Sequence, residues 1–267
     1  QWALNPDRNN STSQDIPDVI NNSWGSPPGK FNVSSCFTSA YINIFTTIQS
    51  AGVAIVFSSG NEGPDSLTIS FPAVVANDLV VPFSVGAVNA KISSFPITSF
   101  SGSGPSVCLP NNEPLGIKPE VVAPGQEIRS AINGNGYGSL SGTSMAAPHV
   151  SGAILLLKEA FPQVSSVRLA KALYESAIDL GAAGEDNKYG RGLIDVKAAF
   201  DLLISQGFVP VEPISSPQNI TLLDVKTRTE NCGNQFRGTL TIQHSGTVPV
   251  TRFNIVLKNA INSALLK

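Results

Sequence analysis

Apolar positions along the first two hundred residues form short continuous runs separated by longer periodic segments. The runs Val53–Phe57 and Val80–Val88 are apolar at almost every position, which is typical of strands covered on both faces in a parallel sheet. The segment Asp18–Ser23 predicts a further buried strand with a polar end. Residues 119–131 predict two short strands around Ala123–Gly125. We expect these runs to supply the strands of one sheet.

The periodic segments predict four helices. One covers residues 36–50, one begins near Ser144, and two more cover residues 165–178 and 195–205. Helical spacing places one set of apolar residues on a single face of the first helix: Phe37, Ala40, Tyr41, Ile44 and Ile48. The second helix has its own buried stripe: Val150, Ile154, Leu157 and Phe161. Strands that alternate with helices predict an α/β fold with a mostly parallel sheet.

The pattern changes after residue 206. Residues 207–218 contain three prolines and predict a linker. Beyond it, Thr239–Gln243 and Phe253–Leu257 alternate apolar and polar positions, which indicates an all-β, sandwich-like module over residues 219–267. A full sandwich of the immunoglobulin type needs roughly 100 residues, so we expect only the start of such a module.

Composition narrows the function classes. Charged residues are 13% of the chain and the net charge is −2, which argues against a nucleic-acid partner because such proteins need a basic face. No apolar run approaches the roughly 18 residues of a membrane-spanning helix.

The three cysteines, Cys36, Cys108 and Cys232, lack the spacing of metal ligands. A disulfide between Cys36 and Cys108 and three unpaired small apolar side chains are the two interpretations, and the sequence does not decide between them.

The stretch Gly-Thr-Ser-Met-Ala-Ala-Pro-His-Val-Ser-Gly, residues 142–152, carries the candidate chemistry. A serine in front of a helix is usually an N-cap, but at a helix N-terminus it also meets backbone N–H groups that favour a developing negative charge. His149 cannot be its base, because five residues along a helix turn it roughly 140° away and about 7.5 Å further on. We therefore interpret His149 as structural. We interpret His244 as a surface residue.

This stretch resembles the serine motif of the subtilases, the subtilisin-like serine peptidases. Three other stretches resemble that family in the same order: residues 20–25, 58–64 and 117–125. It is not the G-x-S-x-G elbow of α/β-hydrolases, because position 146 is alanine. The resemblance covers about residues 1–203, and residues 18–25 together with Cys36 are most similar to the bacillopeptidase F-like subgroup. It implies a three-layer αβα domain over residues 1–206 whose N-terminal part is missing.

The resemblance also implies roles for individual residues. Ser144 would be the nucleophile that forms an acyl-enzyme, and Asn61 would bind the oxyanion together with the Ser144 backbone N–H. The segment of Ser23, Trp24 and Gly25 would pair with an extended substrate. Ser58, Ser59 and Gly60 would line the pocket for the side chain before the cut. The alternatives are a turn residue for Asn61 and a packed core aromatic for Trp24.

The sequence departs from the family where the catalytic Asp and His should be. Neither the Asp-Ser/Thr-Gly motif nor the His-Gly-Thr motif occurs, and Asp7, Asp15 and Asp18 match by residue type alone. We expect a fragment of a secreted serine endopeptidase, inactive when expressed alone, whose partners are a protein or peptide substrate and the missing part of its own domain. A non-catalytic peptide-binding pseudo-peptidase is the alternative, and an esterase using Ser144 is a third. No cofactor or metal ligand is assigned, and structural calcium, common in the family, stays unassigned.

Overall fold

The computed structural model describes residues 2–5, 7–8, 16–31, 36, 39–76, 78–108, 116–211, 220–228 and 237–244. The chain divides into two compact units, Gln1–Val211 and Glu212–Lys267.

A four-stranded parallel sheet forms the centre of the first unit. Its strands are β1 (Val19–Asn22), β2 (Ala54–Ser58), β3 (Phe83–Val88) and β4 (Val121–Pro124). They lie side by side in chain order, each parallel to the next. Every residue of β2 and β3 is buried, as continuous apolar runs require of strands covered on both faces. The predicted α/β fold with a mostly parallel sheet is confirmed.

Four helices pack around this sheet: α1 (Ser39–Ser50), α2 (Thr143–Ala160), α3 (Ser166–Glu175) and α4 (Val196–Ser205). Helix α2 packs across all four strands. Its predicted stripe of Val150, Ile154, Leu157 and Phe161 is fully buried. Side chains cap the N-termini of α3 and α4. The Ser165 hydroxyl accepts the Arg168 N–H in α3, and the Asp195 carboxylate accepts the Ala198 N–H in α4.

Two features of the first unit differ from the sequence prediction. Helix α1 buries Phe45, while the predicted Ile44 is 51% exposed and Tyr41 is 36% exposed. Ile48 packs against the core as predicted, so the predicted face was wrong in part. The second difference is an antiparallel hairpin of β5 (Ile128–Ile132) and β6 (Gly136–Leu140), which follows β4 and precedes α2 in the chain. We predicted only its first strand.

A buried ion pair stands at the start of β4. The Lys118 ammonium contacts the Glu120 carboxylate and donates to the Pro82 carbonyl at 3.0 Å. The other carboxylate oxygen accepts the Ser84 N–H at 2.6 Å. Burial raises the pKa of Glu120 to about 7, against the opposing pull of the lysine. The pair links the start of β3 to the start of β4.

A disulfide joins Cys36 to Cys108, which confirms one of the two interpretations. Both residues are fully buried, and 72 positions separate them in the sequence. The bond ties the segment before α1 to the segment before Gly116. Cys232 lies outside the described residues.

In the second unit the structure describes one antiparallel hairpin, β7 (Ile220–Arg228) paired with β8 (Arg237–His244). The alternating segment Thr239–Gln243 lies within β8, and His244 is its last residue. The alternating segment Phe253–Leu257 falls outside the described residues, so the sandwich-like module stays a prediction.

Candidate active site

The carboxyl ends of β1 and β2 and the N-terminus of α2 meet at one edge of the sheet. Parallel strands present their carboxyl ends at the same edge, where α/β proteins place ligands. Ser23–Gly25 follow β1 directly, and Ser59–Asn61 follow β2. The Ser23 hydroxyl bonds the first segment to the Ser144 carbonyl, and the Thr143 hydroxyl lies within hydrogen-bond distance of Gly60 and Asn61 in the second. The structure therefore brings the predicted site residues from three separate stretches to one edge.

Thr143 fixes the orientation of the Asn61 amide. Its backbone N–H donates to Asn61 Oδ1 at 2.9 Å, and its hydroxyl lies 3.0 Å from the same oxygen. A backbone N–H can face only an acceptor, so the oxygen of the amide must point to Thr143. Among the described residues, Asn61 Nδ2 has no hydrogen-bond partner. The amide thus keeps two N–H donors for another acceptor.

The backbone next to Asn61 is held as well. Thr143 Oγ1 accepts the Gly60 N–H at 3.2 Å and lies 3.1 Å from the Gly60 carbonyl. Gly60 has a φ of +115°, a left-handed conformation that favours glycine. A side chain there would also meet Ser70, whose Oγ would lie 2.5 Å from the added Cβ. Asn61 itself donates its N–H to the Glu62 carboxylate at 2.9 Å.

Ser144 is the second residue of α2, and its side chain is partly exposed. Its backbone N–H is one of the first four of the helix, which have no carbonyl partner inside the helix. Its hydroxyl lies 3.4 Å from the Ser23 carbonyl. In the part of the chain that the structure describes, neither an imidazole nor a carboxylate accepts a hydrogen bond from that hydroxyl.

His149 turns away from Ser144. Its Nδ1 lies 2.8 Å from the Met145 carbonyl, four residues earlier on the same helix. This contact with its own helix supports the interpretation of His149 as structural, which stays a prediction. Of the three aspartates that matched by residue type, Asp18 pairs with Lys158 at 3.5 Å. Asp15 lies outside the described residues.

The remaining site residues occupy two kinds of environment. Ser58 and Ser59 are buried at the end of β2, and the Ser59 N–H donates to the Val85 carbonyl. Trp24, by contrast, is 57% exposed and rests edge-on against Phe57, with ring centroids 5.5 Å apart. The core-aromatic interpretation of Trp24 is therefore wrong.

Sequence reasoning missed three residues that bond to this site. Thr143 lies in the stretch that resembles the serine motif, but no role was predicted for it above. Asn21 and Ser151 had no predicted role, although the structure bonds Ser151 Oγ to Asn21 Oδ1 at 3.0 Å. A polar residue at the end of a buried strand is the only signal that could have pointed to Asn21.

Other kinds of site are not seen in the described ranges. No three His, Cys, Asp or Glu side chains there are grouped so that they could hold a metal ion. None of the helices found there has the length and apolar character needed to cross a membrane. A surface groove of about 610 Å³ lies between Ser103–Pro105 and Asp186–Tyr189 and contains none of the predicted site residues.

A serine at a helix N-terminus, beside an asparagine loop at the carboxyl edge of a parallel sheet, defines an α/β protein with a candidate nucleophilic centre. The model of the subtilase family matches residues 3–192. The chain belongs to the subtilase family.

Individual relatives show how much of a subtilase the chain represents. Subtilisin BL of Lederbergia lenta is 36% identical over 181 residues, which are 68% of this chain and 55% of that protein. Subtilisin DY of Bacillus licheniformis is 35% identical over 184 residues, with 68% and 56% covered. The chain thus spans just over half the length of these relatives. The predicted bacillopeptidase F-like subgroup stays a prediction.

Solved structures give the same fold. The S41 psychrophilic protease superposes with a TM-score of 0.55 at 27% identity, covering 67% of this chain and 57% of that one. The prenylagaramide maturation protease PagA superposes with a TM-score of 0.54 at 22% identity, covering 69% and 61%. The second likeness concerns the fold alone.

Proposed function

We propose that this chain is the nucleophile-bearing part of a subtilisin-like serine endopeptidase. The observation that carries the proposal is the bond from the Thr143 N–H to Asn61 Oδ1. It leaves the amide N–H groups of Asn61 available next to the start of α2. Donors fixed in advance around a nucleophile are what acyl transfer needs, because charge develops on the substrate oxygen as the bond forms.

In this proposal the Ser144 hydroxyl attacks the peptide carbonyl, and the oxyanion accepts from Asn61 Nδ2 and the Ser144 N–H. The C–N bond then breaks, the amine leaves with the proton taken from the serine, and water hydrolyses the acyl-enzyme. Ser23–Gly25 would pair with the extended substrate, while Ser58, Ser59 and Gly60 would line the pocket for its side chain. Pairing through backbone groups suits a protein or peptide substrate of broad sequence.

The base of this reaction has to come from elsewhere. Within the described residues the Ser144 hydroxyl faces only the Ser23 carbonyl, so we propose that a further part of the same domain supplies the histidine and the aspartate. The Cys36–Cys108 disulfide supports an extracellular location, because disulfides persist in oxidising compartments. No cofactor is needed for this chemistry, and calcium stays unassigned.

The decisive experiment expresses the chain together with its natural flanking coding sequence and follows the hydrolysis of denatured casein. We expect Ser144→Ala to abolish turnover. Ser141→Ala is the matched control, because that exposed serine lies three residues away and accepts a bond from the Glu127 N–H. Turnover that survives Ser144→Ala would refute the proposal.

One observation favours a second function, a peptide-binding protein without catalysis: the Ser144 hydroxyl meets no base in the described part of the chain. Flanking sequence that lacks both the Asp and the His motif would favour it. Such a protein would bind unstructured peptides through Ser23–Gly25 and leave them intact.

A further inference from the structure

Three side chains form a continuous hydrogen-bonded path from the middle of α2 to its second residue. Ser151 Oγ donates to Asn21 Oδ1, Asn21 Nδ2 donates to Ser23 Oγ, and Ser23 Oγ donates to the Ser144 carbonyl. Each of the three bonds is 3.0 Å long. The path leaves the helix, crosses to the end of β1 and returns to the candidate nucleophile.

The Ser144 carbonyl can accept this bond because the sequence leaves it without a donor in the helix. In a helix that carbonyl would accept the N–H of the residue four positions on, which here is Pro148. Proline has no N–H, so the carbonyl lacks its helical donor. The Ser23 hydroxyl takes the place of the missing donor.

The direction of donation along the path is fixed. A serine hydroxyl has one proton, and Ser23 uses its proton on the Ser144 carbonyl, so it can only accept from Asn21. The amide nitrogen of Asn21 must then face Ser23, and its oxygen must face Ser151. Ser151 has a second acceptor in reach, the Ala147 carbonyl at 3.3 Å, but the Asn21 oxygen is closer.

We propose that Asn21 and Ser151 are positioning residues for Ser144. Through the Ser23 hydroxyl they hold the peptide-pairing segment Ser23–Gly25 in one fixed register with the nucleophile. This inference rests on the proposed function for its catalytic meaning. Its structural content, that Ser151 controls the order of Ser23–Gly25 across two elements, can be tested without any activity.

The first experiment measures amide hydrogen exchange on the full 267-residue chain. We expect Ser151→Ala to speed exchange several-fold at Ser23–Gly25 and in the first turn of α2, and to leave the β3 amides unchanged. The isosteric Asn21→Asp should do the same, because a carboxylate still accepts from Ser151 but cannot donate to Ser23.

Ser176→Ala is the matched control. Its hydroxyl bonds to the carbonyl four residues earlier, at Ala172, the spacing at which Ser151 has the Ala147 carbonyl in reach, but it has no hydrogen bond to β1 among the described residues. Ser151→Ala without effect at Ser23–Gly25, or with faster exchange throughout the first unit, would overturn the inference.

The second experiment uses the catalytically active protein. Asn21→Ala and Ser151→Ala should each lower kcat/KM about tenfold, roughly the value of one hydrogen bond. The double variant should lose no more than about tenfold as well, because both changes break the same path. Effects that multiply to about a hundredfold would overturn the inference. Failure of the proposed function would show separately, as turnover unaffected by Ser144→Ala.

Discussion

The two sides of the candidate site, around Asn61 and around Ser144, differ in how firmly hydrogen bonds and burial hold them. On the Asn61 side, Thr143 is fully buried and contacts both Gly60 and Asn61 with bonds of 2.9–3.2 Å. On the Ser144 side, the hydroxyl is partly exposed and its contact with the Ser23 carbonyl is 3.4 Å long. The difference teaches that, under the proposed function, the described residues hold the oxyanion donors in place but include no base that contacts the Ser144 hydroxyl.

The largest expected effect concerns Ser144, whose hydroxyl meets no base among the described residues. Without a base, Ser144 should hydrolyse peptides at most about 10³–10⁴ times faster than water does, because only the oxyanion donors and substrate binding remain. Purified chain should therefore show no serine-dependent cleavage of a fluorogenic peptide over hours. The matched preparation is the Ser144→Ala chain. A rate that falls by orders of magnitude in that variant would mean that a base is present after all.

The next largest effect concerns Asn61, the proposed oxyanion donor. In the active protein, Asn61→Ala should lower kcat by about 10²–10³ with little change in KM, the loss known for an oxyanion asparagine in subtilisin. The donor acts mainly when charge has developed, so ground-state binding is spared. Steady-state kinetics with a peptide substrate measures both constants. Asn133→Ala, in the exposed turn of the β5–β6 hairpin, serves as control. A rise in KM with kcat intact would assign Asn61 to substrate binding instead.

The sequence predicted best the strands and the helix that carry the candidate site. Continuous apolar runs located β2 and β3, and a stripe of four apolar residues located α2, because burial on both faces or on one helical face leaves a clear period. Both elements end or begin at site residues. The joint role of the motif around Ser144 and the loop at Asn61 came from the family resemblance, and the structure shows both at the same edge of the sheet.

What the sequence concealed depends on contacts between distant residues. Ser151 and Asn21 are 130 positions apart, and nothing in their local pattern links them. The β5–β6 hairpin was half missed because its second strand contains Gly136 and Gly138 and is not fully buried at any position. Lys118 gave no sign that its charge would be buried, since lysine is almost always exposed.

A smaller effect tests how much the Thr143 hydroxyl contributes to the orientation of Asn61. Thr143→Val removes the hydroxyl and with it the acceptor of the Gly60 N–H, but keeps the backbone N–H that holds Asn61. We expect kcat to fall about tenfold, roughly one hydrogen bond's worth of orientation. Thr143→Ser keeps the hydroxyl and should retain most of the activity. Equal rates for the valine and threonine proteins would show that the backbone bond alone orients Asn61.

The smallest expected effect separates the pH response of the fold from that of the site. In the described residues the strongly raised pKa values belong to Glu120 and Tyr174, and neither contacts Ser144 or Asn61. The pKa of Glu120 is about 7 in the folded state against 4.5 for a free side chain. The folded protein therefore holds this proton more tightly than the unfolded chain does.

It follows that the free energy of unfolding is highest below pH 4.5 with respect to this group, and falls as the pH rises to about 7. Urea unfolding followed by tryptophan fluorescence at several pH values measures that slope. Glu120→Gln cannot titrate, so its slope should be flatter than that of the wild type, although it leaves Lys118 buried without its carboxylate. Glu127→Gln is the matched control, because Glu127 pairs with Lys91 on the surface, where ion pairs contribute little. Equal slopes for wild type and Glu120→Gln would mean that Glu120 is ionised across this range, with Lys118 outweighing the effect of burial on its pKa.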